Sequence, residues 1–412
     1  MKKMKLNKLE KYWILYDVGN SAFVLLVATI IPIYFNTLAE NAGISPVDYL
    51  AFWGYAASAA TVIVALIGPV LGTVADTQGF KKPLFAASMA VGAIGCAVLS
   101  VPRSWFLFLI VFVIARIGYN ASLIFYDSML VDITTTERMD TVSSHGYAWG
   151  YLGSCIPFIL SLVLVLFGGQ LGLSTHMAMT LAFLLNAAWW LAATLPLLKT
   201  YRQENFVRLP DRPVRSSFTR LAATLKDIRQ QKHIFLFLLA FFFFIDGVYT
   251  IIDMATAYGS SLGFDTQGLL LALLVTQLVA FPCALVFSAL SKRYETSRLL
   301  RICIVAYIGI ALFAIQLDKQ WEFWLLAVLV GMFQGAIQAL SRSYFAKIIP
   351  SEKSGEYFGI YDIFGKGASF MGATLVGIIA QATGIPNAGV AVLAVLFVIG
   401  FIIFCKADKL NR

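Results

Sequence analysis

The sequence predicts an all-α membrane protein: twelve transmembrane helices in two pseudo-symmetric six-helix bundles. Three observations point there. Hydrophobic residues make up 59% of the 412 residues and charged residues 13%, with a mean hydropathy of +0.80. A soluble chain carries about 25% charged residues. Apolar stretches of about 20 residues, the length that spans a bilayer, recur from end to end. The two halves of the chain also resemble each other.

The segments fall at 13–37, 50–74, 83–101, 104–127, 143–167, 176–198, 234–258, 268–290, 299–317, 321–345, 357–380 and 386–405. The charge distribution orients them. Lys2, Lys3, Lys5, Lys8 and Lys11, then Lys81, Lys82, Arg138, the central loop and the C-terminal Lys406, Lys409 and Arg412 share one side, whereas only Arg103 and Lys319 fall in loops of the other. Basic loops stay inside, so both termini are expected in the cytoplasm, and the membrane is expected to be the cell (inner) membrane. The net charge of +9 is thus a topology signal, and no nucleic-acid partner is expected. The first apolar stretch is too long for the core of a cleaved signal peptide and carries Asp17 and Asn20.

The expected division is a bundle over 1–198, a linker over 199–233 and a second bundle over 234–412. The linker holds Pro210 and Pro213, then Phe218, Leu221, Leu225 and Ile228 on one face with Arg220, Lys226, Arg229 and Lys232. That pattern suits either a helix on the cytoplasmic leaflet or an ordinary linker helix with a solvated charged face. Shifting Asp127–Ser154 by 215 residues lays it on Arg342–Ser369, matching Ser128 with Ser343, Ile133 with Ile348, Gly150 with Gly365 and Ser154 with Ser369. A duplicated six-helix unit follows.

Four segments carry polar residues in helical register. The seventh has Asp246, Tyr249, Thr250 and Asp253 at i, i+3, i+4 and i+7. The first has Asp17, Asn20 and Ser21, the fourth Arg116, Tyr119, Asn120 and Asp127, and the tenth Gln334, Gln338, Ser341 and Arg342. A carboxylate at the bilayer centre costs about 2.5–3.5 kcal/mol, so such stripes face a wet cavity or a buried partner. Asp17, Asn20, Arg116, Asn120, Asp246, Tyr249, Thr250, Asp253, Gln334 and Gln338 are the candidate solute and ion ligands, with Asp246 the candidate proton carrier or cation site. Purely structural ion pairs and interhelical hydrogen bonds are the plainer alternatives. Asp362 and Lys366, at i and i+4, suit an intrahelical pair that neutralises or gates.

Small residues mark close helix approaches: Gly68 and Gly72 in the second segment, Gly146, Gly150 and Gly153 in the fifth, and Gly365, Gly367, Gly372 and Gly377 in the eleventh. The dispersed His145, His176 and His233 form no metal cluster, and Cys96, Cys155, Cys283, Cys303 and Cys405 lack CxxC spacing. No cofactor is expected: no GxxxxGK[ST] loop is present, and no catalytic constellation that would make the chain an enzyme.

The loop after the second segment reads Gly72-Thr73-Val74-Ala75-Asp76-Thr77-Gln78-Gly79-Phe80-Lys81-Lys82, an acid, a turn glycine and bases that can clasp neighbouring helix ends. It resembles the G-x-L-A-D-R-x-G-R-K signature of the major facilitator superfamily through Gly72, Ala75, Asp76, Gly79 and Lys81. Thr77 and Phe80 replace arginines, so the clasp is expected to lean on Lys81 and Lys82. In the second half Lys292 stands at the acid's place, a degenerate copy. Tyr16-Asp17-Val18-Gly19-Asn20-Ser21, Phe243–Ile252, Phe333–Ser343 and Glu356–Lys366 resemble the branch of that superfamily that includes the vacuolar amino-acid effluxers of autophagy. The resemblance implies the major facilitator fold, with segments one, four, seven and ten around a central cavity, segments two, five and eleven at the contact between halves, and rocking of the halves. Gly72, Asp76, Gly79, Lys81, Arg342, Asp362 and Lys366 are then the gating candidates.

The expected function is secondary active transport of a small polar solute, an amino acid first. Arg116 would meet its carboxylate and Asp246 its amine, with a proton, or sodium, as coupling ion. An exporter of amphipathic compounds is the alternative within the class, and a membrane sensor or scaffold the alternative outside it.

Overall fold

The computed structural model describes residues 5–208 and 213–411. The described residues are almost entirely helical, with a single isolated bridge between Thr77 and Val207. Pro210 lies outside them, as do the side chains of Phe218 and of residues 367–370.

The first span is two helices, α1 (Lys8–Ala28) and α2 (Ile30–Asn41), where the sequence suggests one. The break is at Thr29, with φ −134° and ψ −74°. Pro32, lacking an N–H, cannot bond back to residue 28, which permits the interruption there. The remaining spans of the first half are α3 (Pro46–Ala75), α4 (Lys81–Ala97), α5 (Trp105–Ser128), α7 (Met139–Phe167) and α8 (Thr175–Thr200), with a short α6 (Leu130–Ile133) after α5. A linker helix, α9 (Pro213–Gln230), leads to α10 (Lys232–Ser261), α11 (Thr266–Leu290), α12 (Thr296–Ile315), α13 (Gln320–Ile348), α14 (Ser354–Thr383) and α15 (Pro386–Asn411). Among the described residues, eleven spans are long and apolar enough to cross a membrane. The third expected span, α4, has 17 residues, about 26 Å at 1.5 Å per residue.

The duplication runs further than the matching residues suggest. Helix ends Ala75 and Leu290, helix starts Lys81 and Thr296, Trp105 and Gln320, and Met139 and Ser354, and the 3-10 turns Thr136–Arg138 and Ser351–Lys353 all keep one register. Within the first half α1 packs on α7 and α8, and α4 on α5; in the second α10 packs on α15 and α14. The halves meet where α3 lies along α14 and α7 along α11 and α13.

Glycines set these approaches. A Cβ on Gly72 would lie 2.1 Å from the Gly355 carbonyl oxygen, and one on Gly359 would lie 2.8 Å from Pro69 Cα. The seam glycines of α14 are therefore Gly355 and Gly359, nearer the start of the helix than those singled out in the sequence. Gly365 meets Phe241 and Gly372 meets Thr250 and Asp246, both inside the second half, and a Cβ on Gly377 would meet nothing. In α7, Gly150 and Gly153 receive α1, against Ser21 and Val18.

The linker helix is not an isolated surface helix. It packs on α3 and α10, burying Thr224 and Ile228 and leaving Leu225 52% exposed. Ahead of it, residues 201–207 run extended across the helix ends. Asn205 donates from N and Nδ2 to Asp132 Oδ1, both at 2.9 Å, and Tyr201 donates to Asp132 Oδ2. Gln203 donates to the Ala75 carbonyl at 3.0 Å and accepts from Gly79 N, and Val207 N donates to the Asp76 carbonyl at 2.7 Å.

Candidate functional site

The polar contacts between the halves gather at the end of the helices that carries the chain termini. At their centre is Arg342 on α13, 2% exposed. Its Nη1 is 2.9 Å from Asp127 Oδ1 of α5 and its Nη2 3.5 Å from Asp17 Oδ2 of α1. It also donates to the Ser143 hydroxyl and carbonyl, at 2.9 and 3.1 Å. Trp13 and Tyr147 lie 4.6 and 4.5 Å from the guanidinium carbon. A buried guanidinium keeps its charge only with such a set of acceptors and π faces. Gly146 leaves room for it: a Cβ there would sit 2.5 Å from Asp17 Oδ2 and 3.1 Å from Arg342 Nη2.

A second cluster lies on the loop singled out in the sequence. Asp76 accepts from the backbone N–H groups of Gly355 and Glu356, at 2.7 and 2.8 Å, in the first turn of α14. Those N–H groups have no partner inside the helix, and the helix dipole favours an anion there. Lys81, fully buried, sits 3.7 Å from Asp76, 3.5 Å from Asp132 and 2.9 Å from Ser354 Oγ. Burial pushes the Asp76 carboxyl up to about 7, with Lys81 and the two N–H groups acting against that rise. Gly79 takes φ +81° to turn the loop. The expected help from Lys82 does not arise, since Lys81 makes these contacts.

The second-half loop copy is degenerate in sequence, yet a clasp forms there from other residues. Thr296, at the position of Lys81, donates to Asp140 Oδ2, and Lys347, at the position of Asp132, lies 2.6 Å from the same oxygen. The acid comes from α7 of the opposite half instead of from the loop that holds Lys292. Sequence comparison of the loops alone could not find it, because the charge had moved to the other side of the contact.

Nearer the middle of the helices the stripes divide. Gln338 donates to Tyr151 of α7 at 3.2 Å, across the seam. Lys366 pairs with Asp362 at 2.5 Å along α14 and reaches the Asn120 carbonyl of α5 at 3.4 Å. Asn20 is buried and donates to the Tyr16 carbonyl at 3.1 Å. Asp246 has no exposure and does not line a wet cavity. Its Oδ1 accepts from Gly372 N at 2.8 Å and from Thr250 Oγ1 at 3.4 Å, wedged between α10 and α14, and its Oδ2 has no hydrogen-bond partner. Gln334, 4% exposed, has an unpartnered Oε1.

Arg116 and Asp253 behave differently. Arg116 has an unpartnered Nε and rests 6.0 Å from the Phe112 ring. Asp253 of α10 is exposed although protein surrounds it, and acts on Arg116 electrostatically across the two halves. An exposed carboxylate within an apolar span is what a wet cavity would need. Asp140, Ser143, Tyr151 and Lys347 are contributors that the stripes do not include, and Asp127, part of the fourth segment's stripe, takes its partner from the 215-residue shift that lays it on Arg342.

Comparisons with known proteins agree with this architecture. The profile described as vacuole effluxer Atg22 like matches residues 7–139 and 131–410. The uncharacterized MFS-type transporter YxiO of Bacillus subtilis is 42% identical over 404 residues, covering 97% of this chain and 94% of that one. Autophagy-related protein 22-1 of Aspergillus niger is 25% identical over 63% of this chain, which spans 45% of the fungal protein. Among solved structures, a bacterial homologue of the iron transporter ferroportin superposes with a TM-score of 0.73 over 98% of both chains at 14% identity. The proton:xylose symporter XylE gives 0.73 over 97% of this chain and 94% of that one at 12% identity. These two establish the fold alone. The chain belongs to the Atg22-like vacuole effluxer family and is a major facilitator superfamily secondary transporter.

Proposed function

We propose that the chain carries an amino acid across the membrane by alternating access, coupled to a proton. The observation behind this reading is the Arg116–Asp253 pair. Each charge comes from a different half, the two interact electrostatically, and Arg116 keeps a free hydrogen-bond donor. A zwitterion bridges such a pair, its carboxylate on the guanidinium and its ammonium on the carboxylate, and so joins the halves only when both ends are engaged. Tyr249, Asn120 and Gln334 would complete the wall. The solute class accords with the resemblance to amino-acid effluxers, and with the word effluxer in the family's description.

The polar seam at the termini end closes one entrance, so solvent reaches Asp253 from the opposite side. With the termini in the cytoplasm of a cell-membrane protein, as the basic loops suggest, this is an outward-facing state. Asp246 is the proposed proton carrier: its Oδ1 holds α14 through Gly372 N, and its Oδ2 has room for a proton.

Thermal stabilisation of the purified protein by a panel of amino acids, sugars, nucleosides and amphipathic cations tests the reading. A solute at 100 times its Kd adds about 2.7 kcal/mol to the native state. An amino-acid signal lost in Arg116→Gln and in Asp253→Asn supports it. Stabilisation by amphipathic cations alone replaces the substrate class. A transport rate in Asp246→Asn that keeps its pH dependence removes Asp246 as carrier.

A further inference from the structure

Away from the seam, α12 and α15 enclose a groove of about 780 Å³ that opens beside the α11–α12 loop. Its lining changes character along its length. At the termini end stand Arg293, Arg298 and Arg301, with Tyr294 and Glu295. Deeper in, the walls are Ile302, Val305 and Phe401. Arg298, Arg301, Ile302 and Val305 fall at i, i+3, i+4 and i+7, so one stripe of α12 passes from cationic to apolar within three turns. Ile302 is 47% and Val305 51% exposed.

The three guanidiniums face a single lining carboxylate, Glu295, and Arg301 is also held by Asp408 of α15 at 3.6 Å. Arg298 is held over the Tyr294 ring at 5.2 Å, which fixes its head beside the loop. Topology alone does not ask for this cluster. In the first half the same scaffold positions carry Gln78, Pro83 and Ala86, where the second has Arg293, Arg298 and Arg301. The first half thus has no cation at these three positions, its bases being Lys81 and Lys82 beside them, with Lys81 turned into the clasp.

We propose that the groove binds one anionic phospholipid of the leaflet on the termini side. The arginines take its phosphate and acidic headgroup, and Ile302, Val305 and Phe401 take the first part of an acyl chain. Fixed, forked guanidiniums suit a phosphodiester oxygen pair. A basic pocket between helices at the membrane boundary is where anionic headgroups are held. The apolar floor, running into the span of α12, distinguishes a lipid from free phosphate, which would gain nothing from it.

The test is native mass spectrometry of the detergent-purified full chain titrated with phosphatidylglycerol or phosphatidylcholine. Phosphatidylglycerol is expected to be retained and phosphatidylcholine not. Each arginine near an anionic headgroup is worth about fivefold in affinity, equivalent to about 1 kcal/mol, so Arg293→Gln/Arg298→Gln should weaken retention by about 25-fold. Val305→Trp, which fills the groove and leaves the arginines, should also lose the lipid, and it carries the test alone should the double variant fail to fold. Equal retention of both lipids, or unchanged phosphatidylglycerol binding in these variants, overturns the proposal. So does binding that millimolar inorganic phosphate abolishes but Val305→Trp leaves intact, which would mark a phosphate site instead.

Discussion

Arg342 and Asp127 form an ion pair at 2.9 Å and are also each other's equivalents in the internal repeat, 215 residues apart. Two positions related by a pseudo-two-fold rotation can touch only beside the rotation axis, as in an isologous interface. The pair therefore marks the axis between the halves. Duplication placed the same position there twice, and the sequence has since made one copy cationic and the other anionic, an attractive contact that an identical pair of charges would forbid.

Removing that cation leaves Asp127 and Asp17 facing each other without compensation. Breaking a buried pair in this way costs about 3–5 kcal/mol. Arg342→Gln should shift the balance between closed and open seam by more than about 100-fold toward open. Arg342→Lys should recover only part of it, since an ammonium cannot span Asp127, Asp17 and Ser143 or stack between Trp13 and Tyr147. Spin labels at the exposed positions 137 and 292, on opposite sides of the seam, report the change as a longer distance. An unchanged distance distribution in Arg342→Gln would show that the pair does not hold the seam.

Gly355 offers a purely steric test. A Cβ there would meet Gly72 O at 2.6 Å and Asp76 Oδ1 at 2.8 Å, both fixed by backbone or by hydrogen bonds. Overpacking of this kind costs about 1–3 kcal/mol. Gly355→Ala should open the seam while Gly377→Ala, which meets nothing, should not. The same label pair and melting temperature separate opening from loss of fold: the expected result is a changed distance with a shift of only a few degrees.

The fold was legible because bilayer physics leaves few choices. Twenty apolar residues must form a helix, and helix starts such as Gln320 and Ser354 were reachable from the pattern to within a few residues. The stripes identified Arg116, Asp253 and Arg342, since a charge in an apolar run is visible wherever it points. What the pattern could not supply was direction around the helix relative to neighbours. Asp246 and Asp253 share a stripe, yet one is wedged against Gly372 and the other reaches solvent, because a close α10–α14 contact covers only the first. Nor could it supply contacts made by backbone, such as the Gly355 and Glu356 N–H groups on Asp76, or the strap from Tyr201 to Val207, whose partners lie about 70 or more residues away in the chain.

Asp140 tests the rebuilt second clasp. Asp140→Asn removes the negative charge beside Lys347, which keeps the Thr296 hydroxyl at 2.8 Å and a neutral amide oxygen in place of the carboxylate. Lys347 is 21% exposed, so water softens the loss, to about 1 kcal/mol where a buried charged hydrogen bond would give about 1.5–3. The label pair should show a modest opening, smaller than in Arg342→Gln. Ser291→Ala, at the loop position equivalent to Asp76 in the 215-residue register, should leave the distance unchanged. The reverse order of effects would restore the loop copy as the working clasp.

The pH dependence of the seam follows from Asp76. With the seam closed, burial holds its carboxyl at about 7; with the seam open and Asp76 in water it returns toward the ordinary value of about 3.9. The closed form thus binds a proton that the open form releases between those two values. By linkage the closed form is favoured at the acid end, and loses that advantage as pH rises through about 7. Above that the curve is flat for this group. Label distances recorded from pH 4 to 8 should show the open fraction growing with pH, and Asp76→Asn should flatten the contribution of this window. An open fraction that grows toward acid would mean that the hydrogen bonds from Gly355 and Glu356, together with Lys81, outweigh burial and keep Asp76 ionised throughout.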